Sequence, residues 1–354
     1  MTSAADRGRR HRVEGTSFLA LALLVCAGCA TTPPAPIKFG GPTMGTTWSI
    51  ALVPRDRAVD AAEREAIDRD VRDVLTRIEA LMSTWDEDSE LSRFNRSRGT
   101  EPFPVSAETH DVFRWAIALA KETRGAFDVT VLPLVEAWGF GAAGGSEKAS
   151  PDAATLAQLL TSIGTAHLDL DPDGRWVRKR NPDVRCDFSG LAPGYAADAL
   201  AAVLANRGFT DFLVEVGGEL VARGRNAEGL PWQVGVERPE KTRRIARVVP
   251  VTNMAVATSG DYRNYREVNG ARIAHIIDPR SGTPIRHHLA SVTVLDALCV
   301  RADALATAFM VLGPEEGMAL ARRLDVAALF IVRTSEGKFD ERMTPRFGAL
   351  TGIA

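Results

Sequence analysis

Arg185-Cys186-Asp187-Phe188-Ser189-Gly190-Leu191-Ala192-Pro193-Gly194-Tyr195-Ala196-Ala197-Asp198 lies mid-chain, and the reading of the fold turns on it. Val184, Cys186 and Phe188 alternate with polar residues, which predicts a half-buried strand. From Tyr195 onward, Ala196, Ala199, Leu200, Val203 and Leu204 recur at helical spacing, and Gly208 after Arg207 is a stop signal. Gly190, Pro193 and Gly194 place a tight loop between the two. Such a loop aims free N–H groups and the positive end of a helix dipole at one point, which suits an anion such as a phosphate. An ordinary strand–loop–helix corner carries the same glycine pattern.

Downstream of that helix the pattern changes. Residues 212–216, 219–223, 232–237, 246–251, 254–258, 262–268, 272–277 and 291–295 read as successive short strands with short turns. That spacing predicts antiparallel sheets, not a doubly wound parallel one. Upstream, residues 44–53 read as a strand and 58–82 as a long amphipathic helix. The polar run 83–95 reads as a solvated acidic loop. Ser106 is a natural N-cap for a helix to about Lys121. Residues 141–151 read as an exposed loop and 153–163 as a further helix. Asp171-Pro172-Asp173-Gly174 is a hairpin turn. Near the end come helices at 302–312 and 315–323, broken at Gly313-Pro314, then a last strand at 326–332. The expected class is α+β: antiparallel β-sheets with flanking helices, in a single two-lobed domain.

The bulk numbers narrow the function. The chain has 354 residues, 45% hydrophobic and 25% charged, with a formal net charge of -2. Those proportions suit a globular protein. The charge lacks the basic footprint of a nucleic-acid binder. The amino terminus differs from the rest. Arg7, Arg9, Arg10 and Arg12 precede a short apolar run, residues 18–25, and then Cys26-Ala27-Gly28-Cys29. This is the shape of a secretory signal. Small residues directly before a cysteine resemble a bacterial lipoprotein box, with Cys29 as the lipidated first residue; cleavage without lipidation is the other reading. Ala30 at the next position favours, by resemblance to Gram-negative lipoproteins, an outer membrane anchor facing the periplasm. The expected organisation is a signal peptide over 1–28, Cys29 and a Pro-rich tether over 29–38, and a catalytic domain over 39–354. Cys186 and Cys299 remain for the folded body. They could pair in an oxidising periplasm or stay as two buried thiols.

Several local patterns could carry chemistry. Asp303 and Thr307 stand four apart on a helix and so share a face. Two hard oxygen donors on one face suit Mg²⁺, which also takes phosphate oxygens and water. A capping Asp and a back-bonded Thr would look the same. His275 sits on an apolar strand before a Pro/Gly turn, where an imidazole can accept a proton near neutral pH. The hydroxyls of the Thr258-Ser259-Gly260-Asp261-Tyr262 turn could reach a phosphate or ribose. Gly217-Gly218-Glu219 could let backbone approach a ligand closely. Gly139-Phe140-Gly141-Ala142-Ala143-Gly144 has the letters of a dinucleotide fingerprint but lacks its strand and helix, so it reads as a flexible loop. The Gly-x-x-x-x-Gly-Lys phosphate loop and the serine-hydrolase elbow are absent from the sequence.

The order of motifs is more specific than any one of them. Met44-Gly45-Thr46, Met82-Ser83-Thr84-Trp85, Ser89-Glu90-Leu91-Ser92-Arg93-Phe94-Asn95 and Gly125-Ala126-Phe127-Asp128-Val129-Thr130 come first. Pro133-Leu134-Val135 with Trp138-Gly139-Phe140, then Gly194-Tyr195-Ala196-Ala197-Asp198 and Val216-Gly217-Gly218-Glu219, follow. Ala257-Thr258-Ser259-Gly260-Asp261-Tyr262, His275-Ile276-Ile277-Asp278-Pro279 and Ala302-Asp303-Ala304-Leu305-Ala306-Thr307 complete the series. Over residues 39–350 the chain resembles the ApbE-type flavin transferases, bacterial lipoproteins first linked to thiamine biosynthesis. The resemblance implies a T-fold-like body that moves FMN from FAD onto a Ser or Thr hydroxyl of a target protein and releases AMP. It implies Mg²⁺ held by Asp303, Thr307 and the Gly190 carbonyl. It puts Met44, Trp85, Ala126, Phe127, Asp128, Asp187, Pro193 and His275 at FAD, with His275 as the base for the incoming hydroxyl. Partners would be FAD and exported electron-transfer proteins, such as subunits of a sodium-pumping quinone reductase. An FAD pyrophosphatase and a non-catalytic flavin-binding lipoprotein are the alternatives. Many relatives carry Lys or Glu where this chain has Pro193, which offers neither charge nor N–H.

Overall fold

Met44 and Gly45 reverse the chain at its start, both with positive φ, 48° and 69°. They join Ile37–Thr43 (β1) to Thr46–Leu52 (β2), with Thr43 opposite Thr46. A two-residue hairpin loop needs positive φ at both positions, which glycine supplies freely and methionine does not. The strand expected over 44–53 is β2, with Met44 and Gly45 as the turn that joins it to β1. Met44 is secured by its N–H, which donates to the Glu79 carboxylate. The computed structural model describes residues 35–353 except 56, 143–149, 241, 243, 263–264 and 269–270. The expected signal peptide, Cys29 and most of the tether lie outside the described residues, as does much of the 141–151 loop.

Ala61–Met82 (α1) starts at an Asp60 cap that accepts the Glu63 N–H at 2.7 Å. Its buried stripe is Ile67, Val71, Leu75, Ile78 and Met82, at spacings of three and four. Glu90–Arg96 (α2) corrects the expected acidic loop. Ser89 caps it, accepting the Ser92 N–H at 3.0 Å, and Leu91 and Phe94 are buried. Its polar residues masked only two apolar anchors, too few to show a period. Phe103–Pro104 (β3) leads to Ala107–Glu122 (α3), capped by Ser106 as expected. Leu132–Ala137 (α4) and Ala153–Leu160 (α5) follow. Leu168–Leu170 (β4) and Trp176–Lys179 (β5) form the expected hairpin and pair with β3 in a small sheet.

The strand expected around 184–188 is not in the structure. Arg185 makes one isolated parallel bridge with Val131. Ala192–Asn206 (α6) begins earlier than expected, so Pro193 and Gly194 sit in its first turn. A proline fits there because its missing N–H has no helical partner to bond.

Phe212–Val216 (β6), Glu219–Arg223 (β7), Trp232–Glu237 (β8), Ile245–Val251 (β9) and Met254–Gly260 (β10) follow in order. Tyr265–Val268 (β11), Ala271–Ala274 (β12), Ile277–Asp278 (β13) and Thr283–Pro284 (β14) form two small hairpins. Leu289–Asp296 (β15), Cys299–Arg323 (α7), Ala327–Arg333 (β16), Phe339–Met343 (β17) and Pro345–Thr351 (α8) close the chain. The main sheet has eight strands in the order β1-β2-β6-β7-β10-β15-β16-β17, every neighbour antiparallel. The sheets are antiparallel and helices flank the main one, so the α+β class stands. One hydrophobic cluster joins α1, α3, α6 and α7 to the sheet, and a second includes the β8–β9 ribbon and Phe347. α7 breaks at Gly313, φ 79° and ψ -177°, where the sequence placed the stop.

α6 and α7 touch through backbone. A Cβ on Gly194 would stand 2.6 Å from the Cys299 carbonyl and 2.9 Å from Asp303 Cβ. α7 has no cap of its own; Asp198 of α6 supplies one, accepting the N–H groups of Cys299 at 3.0 Å and Val300 at 2.9 Å. The opening stretch thus anchors the helix that carries Asp303 and Thr307. Cys186 and Cys299 are buried free thiols, and burial pushes both thiols upward in pKa.

Candidate active site

A cavity of about 530 Å³ opens beside this junction. α7 contributes Asp303, Thr307 and Val311, each four residues on, hence one helix face. The irregular segment before α6 contributes Asp187, Ser189 and Gly190. Ala126, Phe127 and Asp128 form another wall. The β6–β7 turn adds Gly217, Gly218 and Glu219, with φ of 66° and 111° at the two glycines. β10 adds Thr258, Ser259 and Gly260, and the start of β13 brings His275 and Ile276 with it.

Asp303 is 7% exposed, and its carboxylate accepts the Gly194 N–H at 3.1 Å. Burial pushes its carboxyl up to about 7, against the pull of that one hydrogen bond. Gly190 lies against Thr307: a Cβ there would be 3.4 Å from the Thr307 hydroxyl oxygen and 3.2 Å from Phe127. A buried carboxylate with so little positive charge nearby is costly, and a cation would relieve it. Carboxylate, hydroxyl and carbonyl are hard oxygen donors, so the group fits Mg²⁺ better than a softer metal. Among the described residues, no group of three or more His, Cys, Asp or Glu side chains gathers as a metal site.

A sequence model of the ApbE family matches residues 44–330. The chain belongs to the ApbE family. It is 40% identical to a Klebsiella pneumoniae protein named FAD:protein FMN transferase, over 347 residues that cover 95% of this chain and 97% of that one. The flavin transferase ApbE from Vibrio cholerae superposes with a TM-score of 0.81 at 38% identity, covering 90% of this chain and all of the other. The apo flavinyl transferase ApbE of Pseudomonas stutzeri gives 0.82 at 39% identity, with 90% and 98% covered.

Within this ApbE-family fold the expected residues divide into two sets. Asp303, Thr307, Gly190, Asp187, His275 and residues 126–128 line this same cavity. Met44, Trp85 and Pro193 do not. Met44 occupies the first hairpin turn. Trp85 is 73% exposed on a loop fixed by Ser83, whose hydroxyl accepts the Trp85 and Asp86 N–H groups at 3.1 Å each. Pro193 stands behind the rim, about where a Cβ on Gly217 would touch its ring at 3.9 Å.

Asp187 is raised in pKa by burial, offset by the Ser189 N–H at 2.8 Å. Asp128 is raised by burial too, but its oxygens accept from Thr130 N–H (2.9 Å), Thr130 hydroxyl (2.6 Å) and Thr165 N–H (3.1 Å). Its carboxylate therefore ties two loops together at the cavity wall. His275 is half-buried between β12 and β13, its ring edge-on to Phe140 at 6.4 Å. The Gly139–Gly141 loop, which has the letters of a dinucleotide site, instead braces this histidine.

Sequence reasoning missed the β8 wall, Val234 to Glu237, and Glu215. Both read as ordinary strand residues, and no local signal says that a distant ribbon covers a cavity. It also missed that Asp198 serves as a cap, although Asp198 stands in the opening stretch.

Proposed function

We propose that this ApbE-family chain transfers the FMN part of FAD to a Ser or Thr hydroxyl of an exported acceptor protein. The acceptor oxygen bonds to the FMN-side phosphorus. The bond from that phosphorus to the AMP phosphate oxygen breaks, AMP leaves with the electron pair, and the hydroxyl proton passes to His275. Mg²⁺, bound by Asp303, Thr307 and the Gly190 carbonyl, would supply the charge that a pyrophosphate needs. Asp187 and residues 126–128 orient the nucleotide. The observation that carries the reading is the meeting of Asp303, Thr307, Gly190 and His275 on one cavity. The relatives' names point the same way.

The test supplies FAD and Mg²⁺ with and without an acceptor domain, for instance from a sodium-pumping quinone reductase. AMP released only with acceptor supports transfer. AMP released without it makes the protein a pyrophosphatase, and no AMP makes it a flavin binder. In the same assay His275→Ala should lose about 10²- to 10⁴-fold in transfer rate, the usual weight of a positioned base, with FAD affinity unchanged. A parallel loss of FAD binding rejects the base role.

The sequence of the first 30 residues supports a lipid anchor at Cys29 that faces the periplasm, in the outer membrane. Cys29→Ser should move the protein into the soluble periplasmic fraction. Unchanged membrane fractionation would reject the anchor.

A further inference from the structure

The segment 185–190 carries Asp187 and Gly190 to the cavity, yet it belongs to no strand or helix among the described residues. Its backbone is pinned from two sides. On one side, the Asp187 N–H donates to the Val129 carbonyl at 2.7 Å, next to the Arg185–Val131 bridge. On the other side a side chain does what a neighbouring strand would do. Asn95 Oδ1 accepts the Cys186 N–H at 2.7 Å, and Asn95 Nδ2 donates to the Cys186 carbonyl at 2.8 Å. The two bonds satisfy both backbone groups of a fully buried residue, and Asn95 itself is 7% exposed.

Asn95 is in turn held firmly. Its own carbonyl and that of Ser97 accept from Lys179 Nζ at 3.3 and 2.9 Å. Lys179 is 2% exposed, with its ammonium 4.7 Å from the Phe94 ring centroid. Phe94, Phe113 and Phe188 stack edge-to-face at 5.2 and 4.9 Å, which locks α2 against the segment. A short helix, a buried lysine and an aromatic stack thus converge on one amide.

We propose that Asn95 is a positioning residue for flavin transfer: its paired hydrogen bonds to Cys186 set the backbone that presents Asp187 and the Gly190 carbonyl to the cavity. An aspartate would keep the acceptor half of the pair and lose the donor; an alanine loses both. Removal leaves two buried backbone groups unpaired, so the segment relaxes where it is needed rigid. The proposal rests on the placement of FAD and Mg²⁺ given above.

The test compares four proteins by FAD binding, Mg²⁺ dependence of transfer, thermal midpoint and hydrogen exchange. Asn95→Ala should weaken FAD binding and raise the Mg²⁺ needed for half-maximal transfer, each by about 10- to 100-fold, the range for lost orientation of a ligand-binding group. Amides 186–190 should exchange faster. Asn95→Asp, which keeps the acceptor oxygen in the same place and loses the donor, should lie between and serves if the alanine variant does not accumulate. Thr344→Ala is the control: it removes the α8 cap, at a residue that does not line the cavity, and should lower the thermal midpoint with both constants unchanged. If Thr344→Ala shifts the constants as much as Asn95→Ala does, or if neither Asn95 variant shifts them, the positioning role is overturned. Asp187→Ala tests the underlying placement separately. If it weakens FAD binding while the Asn95 variants do not, only the Asn95 role fails; if it has no effect, the placement fails and the proposal with it.

Discussion

Two regions bring oxygen donors to the same cavity by opposite means. On α7, Asp303 and Thr307 are presented by helix geometry: the backbone ladder does the holding, and a spacing of four does the aiming. Before α6, Asp187 and Gly190 are presented by irregular chain, held by one backbone bond from Asp187 and one side chain, Asn95. The first arrangement is robust and readable. The second depends on partners about 60 and 90 residues away in sequence, so it is fragile and silent. The Gly194 contact and the Asp198 cap rivet the two regions together.

The largest test strikes the helix side. Asp303→Asn keeps the shape and removes the charge, and transfer should fall by about 10²- to 10³-fold, as for loss of a group that acts on developing charge. Without added metal the same variant should be more stable than the parent at neutral pH. Burial raises the Asp303 carboxyl from 3.8 to about 7 in the folded state. Below 3.8 both states are protonated and the group adds no penalty. Between 3.8 and about 7 the folded state keeps a proton that the unfolded chain has lost, so stability falls as pH rises. Above about 7 the penalty is complete. Thermal unfolding in chelator from pH 4 to 8 should therefore show a steeper decline in the parent than in Asp303→Asn, which keeps only the smaller decline from the buried Asp128 and Asp187. Equal slopes would mean that Asp303 is not buried as described, and the contrast between the two regions would break.

A smaller effect is expected at the rivet. Gly194→Ala forces a methyl to within 2.6 Å of the Cys299 carbonyl. Backbone cannot yield as a side-chain tip can, so a loss of about 1–3 kcal/mol should appear in denaturant unfolding. Transfer should fall more than stability alone explains, because α7 moves relative to Gly190. A variant that unfolds earlier but transfers normally would show that the two regions act independently.

The legible part of the site was the part built on periodic structure. Asp303 and Thr307 could be put on one face from spacing alone. The antiparallel class followed from many short strands joined by glycine turns, and Ser106, Asp171–Gly174 and Gly313 marked boundaries that the structure has. Ser89, by contrast, caps a seven-residue helix that the polar run concealed. The alternation of Val184, Cys186 and Phe188 does reflect burial, but the segment takes its second neighbour from a side chain, so no ladder forms. Met44 could not be read as a turn residue, because positive φ is unfavourable for methionine and is sustained here by Glu79.

The sequence by itself determined many of the elements, the α+β class and, through the order of its motifs, the ApbE family. These follow from local periods and residue types, which act over a few positions. Only the tertiary structure decided which of the expected residues share a cavity: it gathered Asp187, Gly190, His275, Asp303 and Thr307 and left Met44, Trp85 and Pro193 outside. It also decided that Asn95 and Asp198 hold the site in place. The physical reason is that a side chain bonds to whatever backbone the fold brings near, and that neighbour is fixed by packing across the whole domain.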